Sequence, residues 1–275
     1  MFNKTYIKEL FKKQTLMEWI IISVFFTGML LFSICDINNG LVVSSQWKNG
    51  TQGAIGQFFI LLASFAATIT IMNRMHRFKQ ELPFLLVGAL FTGLGLIMQG
   101  YQLWSTYPDA GASTMAPGLI QLFVFGMSAL AGFASFRNHT ENVVPAQRKF
   151  WSKDLMIGLT VILITIYPFY LIFDKLIAGN SQTSGVAIDY IEWIGIIGFS
   201  FSTGAIVMMV IFRWTWTFIF WTIANISFVI YYLLVKTQHD IPLLSLVIIS
   251  GLFTVADFYI LLRWLKDQKH EHIKN

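Results

Sequence analysis

The sequence predicts an all-α integral membrane protein with eight transmembrane helices. Three observations predict this fold class: 56% of the residues are hydrophobic, only 12% are charged, and the apolar residues fall in long runs. Lys and Arg together number 19 and Asp and Glu 14, too few to coat a soluble chain of 275 residues. We therefore expect most of the protein's surface to face membrane lipid.

Eight segments have the composition of a membrane-crossing helix, which needs about 20 mostly apolar residues. They cover residues 19–35, 54–73, 82–104, 115–136, 155–173, 187–212, 214–235 and 241–262. The N-terminus lacks a short apolar core followed by a small-residue cleavage site, so we expect the first run to be a retained helix and not a signal peptide.

The basic residues predict the orientation of these helices. The termini and the alternate connections hold 16 Lys and Arg residues, Arg74 and Arg263 among them, whereas the opposite connections hold only 3. Basic residues near helix ends stay on the cytoplasmic side. We therefore expect a multi-pass protein of the cell membrane with both termini cytoplasmic. The net charge of +5 lies in short clusters between apolar runs, so we expect no nucleic-acid partner.

The longest basic connection, residues 137–154, divides the chain near its middle. Predicted helices two to four and six to eight run in the same directions, because the fifth helix restores the direction. This pattern suggests two parallel three-helix repeats, as in one class of secondary transporter. The alternative, eight helices without internal symmetry, stays open. The predicted divisions are residues 1–50 (tail and extra helix), 51–137 (first repeat), 138–180 (basic loop and connecting helix) and 181–275 (second repeat and tail).

Asp257 is the only acid inside an otherwise uncharged apolar run. A charge at the membrane centre costs about 2.5 to 3.5 kcal/mol on insertion scales, so we expect a compensating partner. Two interpretations remain open. Asp257 either faces a cavity and accepts a bond from a hydroxyl or cation, or it pairs with Arg263, six positions on.

Predicted helix seven carries an aromatic and an amide group on one face. Trp221 and Asn225 are four residues apart, and Phe218 precedes them by three. An indole can stack on a flat heterocycle while an amide both donates and accepts hydrogen bonds, which suits a nucleoside-like or vitamin-like solute. Ordinary packing, with Asn225 bridging helices, is the alternative. Gln99 and Gln121 can likewise meet a solute or bridge helices.

Motifs for chemistry are absent from the sequence. There is no G-x-x-x-x-G-K-[ST], H-E-x-x-H or G-x-S-x-G pattern, all 5 histidines fall in connections or the tail, and Cys35 is the single cysteine. We therefore expect no cofactor, no metal site and no enzymatic activity. An intramembrane enzyme would need a second ionisable group within reach of Asp257.

Two C-terminal stretches resemble the PnuC family of vitamin transporters: F-I-F-W-T-I-A-N-I-S at 218–227 and L-S-L-V-I-I-S-G-L-F-T-V-A-D-F-Y-I-L-L-R-W at 244–264. That family has W-x-x-W followed by Asn on the next turn. Trp221 matches the second Trp, Asn225 matches the Asn, and Phe218 replaces the first Trp. Residues 121–136 are similar to the equivalent region of the first half, with Gln121 retained and Phe133 in place of a Trp.

The resemblance implies an added first helix and a 3+1+3 core of parallel repeats related to the SWEET architecture, assembled as a homotrimer. It also implies facilitated diffusion of nicotinamide riboside, or of thiamine, riboflavin or deoxynucleosides as in relatives, with phosphorylation by a cytoplasmic kinase trapping the product. The solute-binding residues that we expect are Trp221, Asn225, Phe218, Gln121, Asp257 and Phe133, which the resemblance implies, and Gln99, whose amide can meet a solute. The Trp-to-Phe replacements leave the solute open. A rival hypothesis is a non-transporting receptor or sensor that binds a small ligand in its helical bundle and signals through residues 137–154.

Overall fold

The structure is a computed structural model that describes residues 14–36, 42–43, 51–76, 82–104, 108–122, 126, 150–175, 190–209, 216–239 and 244–274. Within these ranges the chain forms eight α-helices and one antiparallel pair of two-residue strands. The helices are α1 (Leu16–Ile34), α2 (Thr51–His76), α3 (Leu82–Trp104), α4 (Pro108–Ile120), α5 (Lys153–Phe173), α6 (Tyr190–Val207), α7 (Thr217–His239) and α8 (Leu244–Lys274). The strands are β1 (Cys35–Asp36) and β2 (Val42–Val43).

Seven of the eight apolar runs are largely helical among the described residues, whereas the run at 115–136 shares only residues 115–120 with α4, which begins earlier, at Pro108. Six helices are long and apolar enough to cross a membrane, which is the character of a multi-pass membrane protein. The apolar stretch Leu16–Leu31 of α1 and the 13-residue α4 are shorter. Most of the predicted fourth helix beyond α4 lies outside the described residues. Eight membrane crossings, the internal repeat, the domain divisions and the orientation of the termini stay predictions.

The helices pack as two triplets. In the first, α3 packs against both α2 and α4, and in the second, α7 packs against both α6 and α8. Helix α5 contacts α4 and α6, and α8 also packs against α1 and α2. Helix α8 therefore belongs to the second triplet and joins it to the first.

Glycines allow close approach within the first triplet. A Cβ built on Gly56 of α2 would lie 2.9 Å from the carbonyl oxygen of Gly95 in α3, and one on Gly111 of α4 would lie 2.8 Å from the carbonyl oxygen of Gly100. Such distances are too short for a real side chain, so the backbones approach this closely because these positions lack one. Small residues serve the same purpose in membrane helix packing generally.

The N-terminus of α1 is stabilised by a capping box within the helix and by an ion pair with α8. Thr15 and Glu18 form a capping box, in which the backbone N–H of Thr15 donates to Glu18 Oε2 at 2.7 Å and the backbone N–H of Glu18 donates to Thr15 Oγ1 at 3.4 Å. Glu18 is buried and also forms an ion pair with Arg263 of α8. The start of α1 is thus fixed against the last helix of the chain.

Helix α5 presents large apolar side chains to its surroundings. Leu163 and Ile164, for example, are 70% and 67% exposed. In water such a face would be costly, whereas in a bilayer it meets hydrocarbon. This face of α5 is therefore consistent with a position at the lipid boundary.

Candidate functional site

A cavity of about 150 Å³ lies between the two triplets. Residues of α2 and α3 form one side of it, residues of α6, α7 and α8 form the other, and Met29 of α1 and Gln121 just after α4 complete the wall. An enclosed space of roughly this volume holds a single six-membered ring. The cavity is therefore of the size of one ring, placed where the two halves of the chain meet.

One face of α7 supplies much of the cavity wall. Trp221, Asn225, Phe228 and Tyr232 all line it. They follow one another at intervals of four, three and four residues, which places them on a single helical face. Phe199 of α6 also lines the cavity, and its ring centroid lies 4.7 Å from that of Phe228. The wall on this side is therefore largely aromatic.

A buried ion pair connects the two halves beside this face. Arg74, in the last turn of α2, donates from a guanidinium nitrogen to Oδ1 of Asp257 in α8 at 2.6 Å. Only 2% of Arg74 and none of Asp257 is exposed. The amide Nδ2 of Asn225 donates to the other carboxylate oxygen, Oδ2, at 3.0 Å. Both oxygens of Asp257 thus accept a hydrogen bond, as a buried carboxylate requires.

The same arginine stacks on aromatic rings. Its guanidinium carbon lies 4.7 Å from the ring centroid of Trp221 and 5.9 Å from that of Phe218, within the range of cation–π attraction. The indole N–H of Trp264 donates to the backbone carbonyl of Arg74 at 3.0 Å. The guanidinium consequently covers one face of the indole that the sequence predicts as a platform for a solute ring.

Further polar groups on the wall come from other helices. Ser202 of α6 lines the cavity fully buried, and its hydroxyl has no hydrogen-bond partner among the residues that the structure describes. Gln121 adds a carboxamide to the wall. In contrast, the hydroxyl of Thr70 already donates to the backbone carbonyl of Ala66 at 2.9 Å. Ser202 and Gln121 are therefore among the groups through which the wall can hydrogen-bond a polar solute, together with Arg74 and Asn225.

The structure brings some of the predicted site residues together. Trp221, Asn225 and Gln121 lie on one cavity wall. Phe218 and Asp257 are not among the described wall residues and contact Arg74 instead. Gln99 is also absent from the described wall, and its Nε2 donates to Oε1 of Gln57 at 2.8 Å, which bridges α3 and α2. Phe133 lies outside the described residues.

One expectation about a charged residue needs correction, and the structure decides between the two open interpretations of another. Arg74 does not lie in a connection between helices, because α2 extends to His76. Its side chain points into the protein and forms an ion pair with the buried carboxylate of Asp257. Asp257 does not pair with Arg263. Its partner is Arg74, while Arg263 pairs with Glu18 at the start of α1.

Sequence reasoning missed Arg74, Phe228, Tyr232 and Ser202 as wall residues. Phe228 and Tyr232 continue the face of Trp221 and Asn225 toward the C-terminus of α7, so the helical spacing itself contained the signal. Asp257 in α8 predicts a cationic partner, but several basic residues at helix ends could supply it. Nothing in the sequence singles out Arg74 among them, and Ser202 has no distinguishing pattern at all.

The site offers limited means for catalysis or metal binding. Within the described ranges, no group of three His, Cys, Asp or Glu side chains could hold a metal ion. A second ionisable group does lie within reach of Asp257, but it is a guanidinium, which stays protonated in proteins and cannot accept a proton. The ion pair therefore does not supply an acid and a base.

Comparisons of this chain with protein-family models, with curated proteins and with solved structures give no match. The geometry of the cavity and the residues that surround it are accordingly the basis for assigning a function.

Proposed function

We propose that this protein is a membrane transporter for a small solute with a planar heteroaromatic ring, of the vitamin and nucleoside class to which nicotinamide riboside belongs. One observation carries the proposal: a ring-sized cavity lies between two helix triplets and has both aromatic and hydrogen-bonding walls. Sites for small molecules combine a mostly apolar lining with a few placed polar groups, as this cavity does.

The chemistry of the wall suits a flat ring with polar substituents. Phe199, Phe228 and Tyr232 offer aromatic surface on which a ring can stack or pack edge-on. The hydroxyl of Ser202 and the carboxamide of Gln121 can bond to ring carbonyls, amides or hydroxyls. A solute without a ring would leave the aromatic wall unused, and an apolar one would leave these polar groups without partners.

The position of the cavity supports transport rather than simple binding. Secondary transporters with internal repeats place their solute near the middle of the membrane at the boundary between repeats, and one repeat moves against the other. The cavity here touches both triplets. At about 150 Å³ the cavity has room for the ring of such a solute.

The resemblance to the PnuC family adds to this proposal, and membership of that family stays a prediction. It gives the transport mode that we propose, facilitated diffusion followed by phosphorylation in the cytoplasm by a separate kinase. It also gives a homotrimer as the proposed assembly. The protein's own role in this scheme is to bind, enclose and release the solute.

Uptake into proteoliposomes that contain the purified full-length protein tests the proposal. Labelled nicotinamide riboside, thiamine, riboflavin and a deoxynucleoside are compared, and we expect saturable uptake of at least one of them. Ala67→Phe introduces a ring into the cavity wall and should abolish that uptake. Leu163→Phe makes the same kind of side chain on the exposed face of α5 and should leave uptake intact.

Two results would contradict transport. Uptake that Ala67→Phe leaves unchanged would place the solute pathway elsewhere. Saturable binding of a solute to the purified protein without any flux into the vesicles would instead favour the receptor or sensor hypothesis.

A further inference from the structure

We infer that the amide oxygen of Asn225 faces the cavity and selects solutes whose ring, or a group attached to the ring, carries an N–H donor. Asp257 is the positioning residue for this selection, because it fixes which end of the amide faces the solute. The inference rests on the proposed function, since it concerns which solutes the same cavity accepts. Nicotinamide riboside, thiamine, riboflavin and the deoxynucleosides all carry such an N–H group, so it applies to each of them.

The amide of Asn225 has a fixed orientation. A carboxamide has a donor end, the NH₂ group, and an acceptor end, the carbonyl oxygen, and its hydrogen-bond partner decides which end points where. Nδ2 of Asn225 donates to Oδ2 of Asp257 at 3.0 Å. Asp257 is paired with the guanidinium of Arg74, and an ionised carboxylate only accepts hydrogen bonds. If the amide turned over, two oxygens would face each other and a bond to a charged group would be lost.

The carbonyl oxygen of Asn225 is left for the cavity. Asn225 lines the cavity, whereas Asp257 is fully buried and is not among the described wall residues. The nitrogen therefore points behind the wall, and the oxygen of the same planar group points away from Asp257. No group in the described part of the chain donates to that oxygen, and Asn225 keeps 7% of its surface exposed. Asn225 thus offers a solute an acceptor and not a donor.

Other polar groups on the wall are not fixed in this way. None of the described residues hydrogen-bonds the amide of Gln121, so it can turn either end toward a solute. The hydroxyl of Ser202 can rotate and either donate or accept. In contrast, a solute acceptor placed against Asn225 would leave two buried acceptors without a donor, which lowers affinity. The requirement for an N–H donor is therefore specific to the pair of Asn225 and Asp257.

Two probes differ only in the donor. Nicotinamide and 3-acetylpyridine share a pyridine ring and a carbonyl group at the same position, and a methyl group in the second replaces the NH₂ group of the first. Both are uncharged at neutral pH and have the size of one substituted ring. Their dissociation constants for the purified full-length protein are measured by calorimetry, and we expect nicotinamide to bind more tightly by on the order of tenfold. Burial of the methyl group alone would favour 3-acetylpyridine instead.

Substitution of each wall amide assigns the preference to one of them. Asn225→Leu keeps a side chain of similar size without the acceptor, so we expect its two dissociation constants to agree within about twofold. The matched control is Gln121→Leu, which makes the same change to the amide that can turn. This control should weaken the binding of both probes and keep their ratio as in the wild type.

The role of Asp257 is tested in a variant without buried charge at the pair. The double variant Arg74→Gln, Asp257→Asn replaces the carboxylate with an amide that donates as well as accepts, so Asn225 can turn. We expect the ratio of the two dissociation constants to fall below about threefold. A purely structural role of Asp257 would weaken both probes alike and leave the ratio unchanged.

The possible results separate this inference from the proposed function. If the wild type binds 3-acetylpyridine as tightly as nicotinamide, or if Asn225→Leu retains the preference, the inference fails while ring binding stands. The wild-type comparison decides this even where a variant does not fold. If the double variant keeps the wild-type ratio, Asp257 is not the positioning residue. If the wild type binds neither probe, the cavity does not accept a ring, and the proposed function fails together with the inference.

Discussion

Arg74 and Asp257 are 183 positions apart in the sequence, yet their side chains lie 2.6 Å apart in a fully buried ion pair. The two residues belong to α2 and α8, so the pair connects the first helix triplet to the second. It also lies beside the cavity, because Arg74 lines the cavity wall.

Removal of one member of the pair should be more harmful than removal of both. Arg74→Leu leaves a buried carboxylate without its cation, which we expect to lower the free energy of unfolding by about 3 to 5 kcal/mol. The double variant Arg74→Leu, Asp257→Leu should recover most of this loss, because it leaves neither member of the pair charged without its partner. Thermal unfolding in detergent measures both. Equal losses in the single and double variants would show that the pair's electrostatics contribute little.

Asn225→Ala removes a hydrogen bond to the charged Asp257. Bonds to charged groups contribute about 1.5 to 3 kcal/mol, so we expect a loss of stability in that range and weaker solute binding. Ser227→Ala, two residues further along α7, is the matched control. Ser227 is half-buried and donates to the backbone carbonyl of Ile223 in its own helix. If both variants unfold at the same temperature as the wild type, the hydrogen bond from Asn225 to Asp257 does not contribute to the free energy of unfolding.

Ser202→Ala should affect binding and stability in opposite senses. Its buried hydroxyl has no partner among the described residues, so the solute-free protein should be unchanged or slightly more stable in the variant. Solute affinity should fall by on the order of fivefold if the hydroxyl bonds the solute. Thr203→Val is the control, since its hydroxyl donates to the carbonyl of Phe199 at 2.9 Å within the helix. Unchanged affinity in Ser202→Ala would remove this residue from the site.

Gly56→Ala tests the close packing of α2 against α3. The added Cβ would lie 2.9 Å from the carbonyl oxygen of Gly95, so the helices must move apart, and we expect a loss of about 1 to 3 kcal/mol. Gly251→Ala in α8 meets no atom within 4 Å and should be neutral or stabilising. Unfolding midpoints of the two variants give the comparison. A stable Gly56→Ala variant would mean that the backbones are further apart than the structure has them.

Two substitutions of Glu18 separate its contributions. Glu18→Gln keeps both hydrogen bonds of the capping box with Thr15 but loses the charge that pairs with Arg263, whereas Glu18→Ala also loses the bond that the backbone N–H of Thr15 donates to the Glu18 side chain. We expect the alanine variant to be less stable than the glutamine variant by about 1 kcal/mol, the usual net contribution of one hydrogen bond. Limited proteolysis near α1 and thermal unfolding report the difference. Identical behaviour of the two variants would show that the cap does not matter.

The helices could be predicted from the sequence because hydrophobic length is a local property. A run of apolar residues specifies a helix wherever its neighbours lie, and each predicted run overlaps a helix, although the fourth overlaps α4 by only six residues, 115–120. The face of Trp221 and Asn225 could be predicted for the same reason, since residues four apart share a side of any helix. Gln121 joined them on the wall, although nothing local distinguishes it from Gln99, which bonds Gln57 instead.

The ion pair could not be predicted, because it depends on which helices become neighbours. The buried carboxylate of Asp257 needs a cationic partner, and Arg263 is near it in the sequence. Because α8 packs against α2, the cation that contacts Asp257 in the structure is Arg74. Arg263 in turn faces α1, where Glu18 is available. The basic residues at helix ends therefore do not all report the topology, because some of their side chains form ion pairs inside the protein.

Helix α8 carries Asp257, Arg263 and Trp264, and each of these side chains bonds to α1 or α2. Any rearrangement that parts the triplets must break such bonds in an environment with no water to replace them. In the transport that we propose, breaking these bonds would contribute to the barrier between open forms, so we expect turnover to be slow and strongly temperature-dependent. Substitutions at these positions would then accelerate exchange even where they weaken the folded protein.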